Sequence, residues 1–430
     1  MHNELSSTIC APATAPGGAL GIIRISGPEA LSAACSVCRG INENTPANTI
    51  HYTHIINGTE VIDEAMVSVF RAPHSYTGEN AVEISCHGSR YILKKVLELL
   101  LQNGCRMAQP GEFTQRAYLN GKMDLSQAEA VADLIASTTR ASHHLAMSQL
   151  KGHFSSRLAC LRKQLLELTS LLELELDFSD HEDLEFADRS KLKELTQTID
   201  THITQLADTF QTGNAIKNGI PVAIVGAPNV GKSTLLNALL GEERAIVSDL
   251  QGTTRDTIED TILLGDITFR FIDTAGIRHT DDKIENLGIE RSMNAAKRAR
   301  IIIMMTEPGV PYPDIPVNCQ QTVIHIENKT ESFQAKYGVG LEELKLQLID
   351  AAPKTSDTDV IVTNARHYDA LVRAHNAIRR VLDGLQMQVS DDLLSEDLRQ
   401  AIDILAEITG GQITTSEVLE NIFKHFCVGK

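Results

Sequence analysis

The chain has 430 residues, 42% of them hydrophobic and 22% charged, and a formal net charge of −17. That length holds two or three domains with sizeable cores, and the charge excludes a general attraction for nucleic acid, so any RNA contact must be local or come from a partner. Trp is absent and aromatics make up 4%, which excludes a broad base-stacking platform; the sequence shows no basic-then-apolar leader and no apolar run long enough to span a bilayer.

Residues 1–120 mix short strands with helices. Ala19–Ile25 follows a Pro-Gly-Gly turn and reads as a strand, and Ala65–Phe70 and Ala81–Cys86 alternate as half-buried strands do. Between them, Cys35-Ser36-Val37-Cys38 is a CxxC with no second pair and no His cluster, expected to be incidental rather than a zinc or redox site. Eight scattered cysteines read as free thiols point to a reducing compartment, and the expected location is cytoplasmic with no membrane contact. Tyr91–Gln102 has a 3.6 period and ends at Gly104, completing an α/β module.

Helical patterning takes over from Lys122. Ser126 and Glu129 read as a capping box opening a helix through Ala136. Leu158, Leu161, Leu165, Leu168 and Leu172 form a helical seam, and an acidic stretch at 179–183 is a connection or a solvated face. Leu192, Leu195, Ile199, Leu206 and Phe210 mark another helix, expected to stop at Gly213. After a nucleotide module over 214–352, two apolar stripes follow, Leu371 to Leu385 and Leu398 to Ile408. Thr414 and Glu417 then read as the cap of a last helix. The expected fold is α/β plus α: an N-terminal α/β module over 1–120, a helical domain in two pieces (121–213 and 353–430), and a Ras-like P-loop GTPase domain over 214–352 inserted into it.

The chemistry is plainest at Gly226-Ala227-Pro228-Asn229-Val230-Gly231-Lys232-Ser233, a G-x-x-x-x-G-K-S loop between the apolar run Val222–Val225 and a helix over Thr234–Leu240. Backbone N–H groups from Asn229 to Thr234 would face phosphate oxygens at a helix N-terminus. Lys232 would reach the outer phosphates and the Ser233 hydroxyl would ligate Mg²⁺. Gly252-Thr253-Thr254-Arg255-Asp256 supplies Thr254 as a second Mg²⁺ ligand. A strand over 267–272, paired with 261–264, delivers Asp273-Thr274-Ala275-Gly276, with Asp273 on a magnesium-bound water and Gly276 at the γ-phosphate. In this order the three motifs point to a Ras-like GTPase. Ile277 cannot orient a water; Glu285 is either the group that does so or one more solvated acid. Asn229 either ligates a monovalent cation beside the phosphates or bonds its own backbone. At the base-reading end the pattern departs from expectation. Asn328-Lys329-Thr330-Glu331 stands where N-K-x-D is usual, and Gln334-Ala335-Lys336 follows too closely for an intervening helix and strand. The Pro-rich stretch from Glu307 to Cys319 lacks a helical pattern.

Most of the chain resembles the MnmE/TrmE family of tRNA-modification GTPases. The resemblance rests on Gly18–Gly27, Ser75-Tyr76-Thr77-Gly78-Glu79, Pro110–Thr114, Arg116–Leu125 and the terminal Phe426-Cys427-Val428-Gly429-Lys430. It implies an N-terminal tetrahydrofolate-binding fold that forms a homodimer, with Arg24, Glu83, Lys122 and Lys430 as folate contacts. It implies a potassium ion held by Asn229, Ser248, the main chain of Leu250 and Thr253, with Asp249 and Gln251 lying in the same nucleotide-facing stretch. Glu285 falls on the family's water-orienting glutamate, Arg255 and Asp256 on its switch residues, and Cys427 on a cysteine linked to the modification chemistry. The implied activity adds an aminomethyl or carboxymethylaminomethyl group to C5 of the tRNA wobble uridine. The implied carbon donor is 5,10-methylene-tetrahydrofolate, with 5-formyl-tetrahydrofolate as its analogue, and the implied partner is the FAD-dependent MnmG (GidA) protein. Two other readings compete: a stand-alone GTPase switch, which would need neither the first module nor the Cys427 tail, and a scaffold with weakened turnover or base selectivity, which the short Asn328–Gln334 interval favours.

Overall fold

Alternation in the first hundred residues builds a six-stranded sheet. Its strands are β1 (Ile9–Pro12), β2 (Leu20–Ser26), β3 (Thr49–Asn57), β4 (Glu60–Phe70), β5 (Ala81–His87) and β6 (Arg106–Met107), in the order β3-β4-β5-β2-β1-β6. All neighbours are antiparallel except β1 and β6. The register sets Val67 opposite Ile84, Val69 opposite Val82 and Ile25 opposite Val82. These side chains share one face and are buried with α1 (Ala30–Val37) and α2 (Arg90–Gln102). On the other face, α3 (Glu112–Leu119) closes over β1 through Phe113, Ile9, Ala11 and Ala108. Further along that face Tyr52 and Met66 pair across β3 and β4, and with Ile50 they stay exposed at 65%, 44% and 64%.

This computed structural model describes residues 7–177, 189–242, 260–272, 293–319, 321–353, 360–411, 416–424 and 426–429. The chain divides into two units, one of residues 1–132, 149–162 and 402–430, the other of residues 133–148 and 163–401. Among the described residues no helix is long and apolar enough to cross a membrane.

The all-helical stretch after the first sheet begins with α4 (Leu125–Ala136), α5 (Arg140–Leu150) and α6 (His153–Asp177). The cap of α4 is not the Ser126/Glu129 pair. Asp124 Oδ1 accepts from the Gln127 N–H at 2.9 Å, and Gln127 Oε1 accepts from the Asp124 N–H at 2.9 Å. The reciprocal box therefore sits two residues earlier, and the Ser126 hydroxyl donates to Asp124 instead of capping. The five leucines of the α6 seam are all buried.

α7 (Arg189–Asp208) is followed by a separate helix, α8 (Phe210–Asn218), so Gly213 lies inside a helix rather than ending one. A Cβ on Gly213 would stand 2.2 Å from Val362 O and 2.8 Å from Ile361 Cγ2. The glycine serves close approach of the chain around 361–362, which sequence pattern cannot distinguish from a stop signal.

The second sheet holds β7 (Ile220–Gly226), β8 (Asp260–Leu264), β9 (Ile267–Phe271), β10 (Ile301–Thr306) and β11 (Thr322–Glu327), in the order β11-β10-β7-β9-β8. The β8–β9 hairpin is antiparallel, as its Gly265-Asp266 turn requires with both residues at positive φ, and the other pairs are parallel. β7 and β10 are apolar runs because both of their faces are covered. Ile224, Ile301, Ile303 and Met305 pack with α9 (Lys232–Glu242) and α10 (Leu341–Ala351), while Ala223, Val225, Ile302 and Met304 pack with Ala295, Ala296 and Ala299. Residues 307–319 form no helix. Instead Tyr312 meets His325 edge-on at 4.7 Å and Ile315 packs beside Val323, so the Pro-rich segment covers part of that face. The remaining helices are α11 (Ala365–Gln386), whose apolar stripe is buried, α12 (Asp391–Thr409) and α13 (Ser416–Phe423). Phe423 and Phe426 pack onto Leu125 and Ala128. Thr414 lies outside the described residues, so the cap expected there is not part of this description.

Gly213→Ala is expected to cost about 1–3 kcal/mol, since the added methyl meets a carbonyl oxygen that α8 packs against. Urea unfolding of the variant should show a lower midpoint than the parent; an equal or higher midpoint contradicts the close approach.

Candidate functional site

The phosphate loop joins the C-terminal end of the central strand β7 to the N-terminus of α9. Asn229 and Gly231 both take positive φ, at 61° and 102°, which turns successive backbone N–H groups toward the same side. Val230, 2% exposed, pegs the loop into the core. Lys232 Nζ donates to Gly226 O and Ala227 O, each at 2.8 Å, folding its ammonium over the mouth of the loop. Burial pushes the Lys232 ammonium pKa down. A glycine-turned cradle at a helix N-terminus, with a cation folded across it, fits a polyphosphate. Ser233 sits in the first turn of α9, and Thr234 follows it at the surface. The rest of the predicted nucleotide set lies outside the described residues: Ser248, Asp249, Leu250, Gln251, Gly252, Thr253, Thr254, Arg255, Asp256, Asp273, Thr274, Ala275, Gly276 and Glu285.

At the base end, the short interval turns out to be a single closed turn. Thr330 N–H donates to Phe333 O at 3.2 Å, the Phe333 N–H donates to Thr330 Oγ1 at 3.1 Å, and Phe333 is buried in the core of the second sheet. This brings Ala335 back to Asn328, whose Oδ1 accepts from the Ala335 N–H at 3.1 Å. Asn328 Nδ2 donates to Val230 O at 2.8 Å, linking the turn to the phosphate loop. Lys329 pairs with Glu307, a partner that sequence reasoning did not identify.

A second constellation lies in the unit that contains the first sheet. Arg24 on β2 and Glu83 on β5 face each other in register, and the Arg24 Nε and Nη2 both lie 2.8 Å from Glu83 Oε1. Arg24 Nη1 donates to Gly429 O at 3.1 Å. Its guanidinium also lies 5.6 Å from the Tyr76 ring centroid and 5.7 Å from that of Phe113. The C-terminal tail is seated at two further points. Cys427 O accepts from the Gly111 N–H at 3.4 Å, and Gly429, at φ 92°, lies so close to Pro12 that a Cβ would stand 2.3 Å from its carbonyl oxygen. The Cys427 side chain is exposed. Lys122 Nζ donates to Pro73 O at 3.0 Å, on the same β4–β5 connection that carries Tyr76. Arg24, Glu83 and the tail are thus brought together, while Lys430 lies outside the described residues. Tyr76 and Phe113 were missed as neighbours of Arg24, although both fall within the motif stretches Ser75–Glu79 and Pro110–Thr114. The CxxC thiols are both held protonated: burial pushes Cys35 up and Cys38 up to about 12, opposite to what a metal or redox thiolate needs.

A buried ion network fixes this β4–β5 connection. Arg116, only 2% exposed, reaches both oxygens of Glu79 at 3.1 Å, Ser7 O at 2.8 Å and Glu112 Oε1 at 3.0 Å. Glu79 also accepts from the Ser26 hydroxyl at 2.7 Å. Tyr76 is tied to Thr114 on α3 through its hydroxyl at 2.9 Å. Burial alone would raise the Glu112 pKa, but hydrogen bonds from Arg106, the Gln109 N–H and Arg116 outweigh it and hold the carboxyl below its ordinary 4.5. A depressed carboxylate stabilises the fold above its unfolded pKa, and that contribution is lost as pH falls through the folded value. Glu112→Gln should therefore cost on the order of 3 kcal/mol at neutral pH. The gap between its urea midpoint and the parent's should narrow below about pH 4; a gap independent of pH contradicts the ionised network.

Comparison with known proteins matches both halves of this description. A family described as "GTP-binding protein TrmE N-terminus" matches residues 8–122, and one described as "MnmE helical domain" matches residues 125–427. The tRNA modification GTPase MnmE of Bacteroides thetaiotaomicron is 52% identical over 464 residues, covering 98% of this chain and 99% of that protein. The tRNA modification GTPase MnmE of Parabacteroides distasonis is 51% identical over 461 residues, covering 99% of this chain and 100% of that protein. Both alignments exceed the 430 residues of this chain, so these relatives carry internal stretches that it lacks. Among solved structures, the G domain of the T. maritima FeoB iron transporter is 22% identical, covering 31% of this chain and 99% of that one at a TM-score of 0.22. The chain belongs to the MnmE/TrmE family of tRNA modification GTPases.

Proposed function

We propose that this GTPase modifies C5 of the wobble uridine of certain tRNAs, adding an aminomethyl or carboxymethylaminomethyl group whose carbon comes from 5,10-methylene-tetrahydrofolate. The observation that carries the reading is the seating of the Cys427–Gly429 tail on the Arg24–Glu83 pair, because a bare GTPase switch has no use for it. Glu83 offers a carboxylate, Tyr76 offers a ring, and Arg24 and Lys122 offer cations, a donor and acceptor set suited to an aromatic ligand with an acidic tail. Lys430 would add a further cation. Cys427, exposed beside this set, is the group available to the transfer chemistry.

In the GTPase domain, proposed over 214–352 between helical segments 121–213 and 353–430, Lys232 and the N–H groups from Asn229 to Thr234 would hold the phosphates. Ser233 and Thr254 would hold Mg²⁺, which supplies charge neutralisation. Asn229, Ser248, Leu250 and Thr253 would hold K⁺, which supplies the positive charge that an arginine finger gives elsewhere. Glu285 would orient the attacking water, with Arg255 and Asp256 on the switch stretch. The 1–120 module would form a homodimer, a role suited to the exposed Ile50, Tyr52 and Met66. The FAD-dependent MnmG (GidA) protein would supply much of the tRNA-binding surface, which accords with the net charge of −17.

Mass spectrometry of wobble uridines tests the reading. Deleting the gene should remove the C5 substituent. Re-expressing the wild-type chain should restore it, and a Lys232→Ala chain, with GTP turnover down by about 10²-fold or more, should not. An unchanged modification profile on deletion contradicts the proposal.

A further inference from the structure

In the second sheet β11 is an edge strand: β10 pairs with one side of it, and no strand among the described residues pairs with the other. The Thr322 N–H donates to Arg300 O at 3.0 Å and the Asn328 N–H donates to Thr306 O at 2.8 Å, which fixes how the strand faces. Even-numbered residues turn their main-chain groups toward β10, so Val323, His325 and Glu327 turn theirs outward. Glu327 O accepts from the Thr330 hydroxyl at 3.1 Å, but the three outward N–H groups meet no acceptor among the described residues. The chain that follows does not cover them. It closes into the Thr330–Phe333 turn and a Gln334–Val339 bridge and then enters α10, without a further strand. The Pro-rich segment meets the side chains of Val323 and His325, through Ile315 and Tyr312, and makes no hydrogen bond along their outer edge.

Edges elsewhere in the protein are blunted. β3 carries a bulge at Ile55/Ile56 and a bridge from Cys38, and β6 is two residues long. β11, with the sequence Thr-Val-Ile-His-Ile-Glu, has no proline and no lysine or arginine, and its register on β10 is unbroken. An edge of that kind is a template for another strand. We propose that β11 pairs antiparallel with β11 of a second copy of this chain, about a two-fold axis at His325, so that two five-stranded sheets continue as one. That axis uses every outward group: His325 faces His325, and Val323 faces Glu327 of the second copy, each pair exchanging two main-chain hydrogen bonds. Ile324 then falls opposite Ile326, which extends the buried apolar row across the junction. The two Glu327 carboxylates lie at opposite ends of the ladder, so the pairing sets no acid against another. The contact is separate from the exposed face of the 1–120 module and rests on neither GTP hydrolysis nor the modification reaction.

Residue-resolved hydrogen exchange of the purified full-length protein over a concentration series tests the pairing. Raising the concentration should slow exchange at Val323, His325 and Glu327 by about tenfold or more, with β10 amides unchanged. His325→Pro removes an outward N–H and none of the bonds to β10, a substitution that an edge strand accommodates. It should abolish the concentration-dependent protection at Val323 and Glu327. His325→Lys, at an exposed side chain, sets like charges opposite each other and should do the same if the proline variant does not fold. Outward amides that exchange fast at every concentration overturn the proposal. Protection that persists in the folded variants also overturns it, because the edge is then covered from within the chain.

Discussion

The contact on which the first unit depends is the one between Arg24 and the end of the chain. A guanidinium held by Glu83 on the neighbouring strand donates to the carbonyl of Gly429, a residue 405 positions later. Closing a loop of that length costs only slightly more than closing one half as long, so the expense is set by seating the last residues, not by the insertion between. Three local features do the seating: the Gly111–Cys427 hydrogen bond, the approach of Gly429 to Pro12 that only a glycine permits, and the packing of Phe423 and Phe426 on Leu125 and Ala128. Everything from 163 to 401, the phosphate loop included, leaves this unit and returns to it. The ion network at Glu79, Glu112 and Arg116 then holds the β4–β5 connection, and with it Tyr76, beside the same arginine.

The second sheet shows a different economy. Its central strands are covered on both faces, which leaves the loops at their C-terminal ends to carry function. The phosphate loop is braced from two directions, by Val230 in the core and by Asn328 from the end of β11, two strands away. Residues 307–319 form no helix and 328–335 close in one turn, and that turn holds Asn328 against the loop. The shape of the phosphate loop is thus fixed from within the second sheet, by its core and by its strand ends.

Much of this was legible in the sequence. Period-two alternation located β4 and β5, the Pro-Gly-Gly turn located β2, and the glycine loop between an apolar run and a helix located the phosphate site, because those patterns follow from burial on one face and from backbone geometry. The helix cap at Asp124 was misplaced onto Ser126 because a hydroxyl and a carboxylate two residues apart both satisfy the pattern, and only the geometry shows which accepts. Gly213 read as a stop because a glycine required by a distant carbonyl looks the same in sequence as one required by its own φ. The grouping of Tyr76 and Phe113 around Arg24 joins segments from three parts of the chain through side-chain direction, which no local pattern encodes. The Ala335-to-Asn328 bond was hidden for the same reason: the short interval looked like loss, when the turn conformation makes it a closure.

Arg24 is the residue that holds the tail to the first sheet, and hydrogen exchange at Gly111 reads that directly, since its amide donates to Cys427. In the full-length protein the peptide spanning Gly111 should exchange slowly, and Arg24→Ala should raise its rate by about tenfold or more as the tail leaves, with peptides from β7 and β10 unchanged. Equal exchange at Gly111 in the two proteins would contradict it.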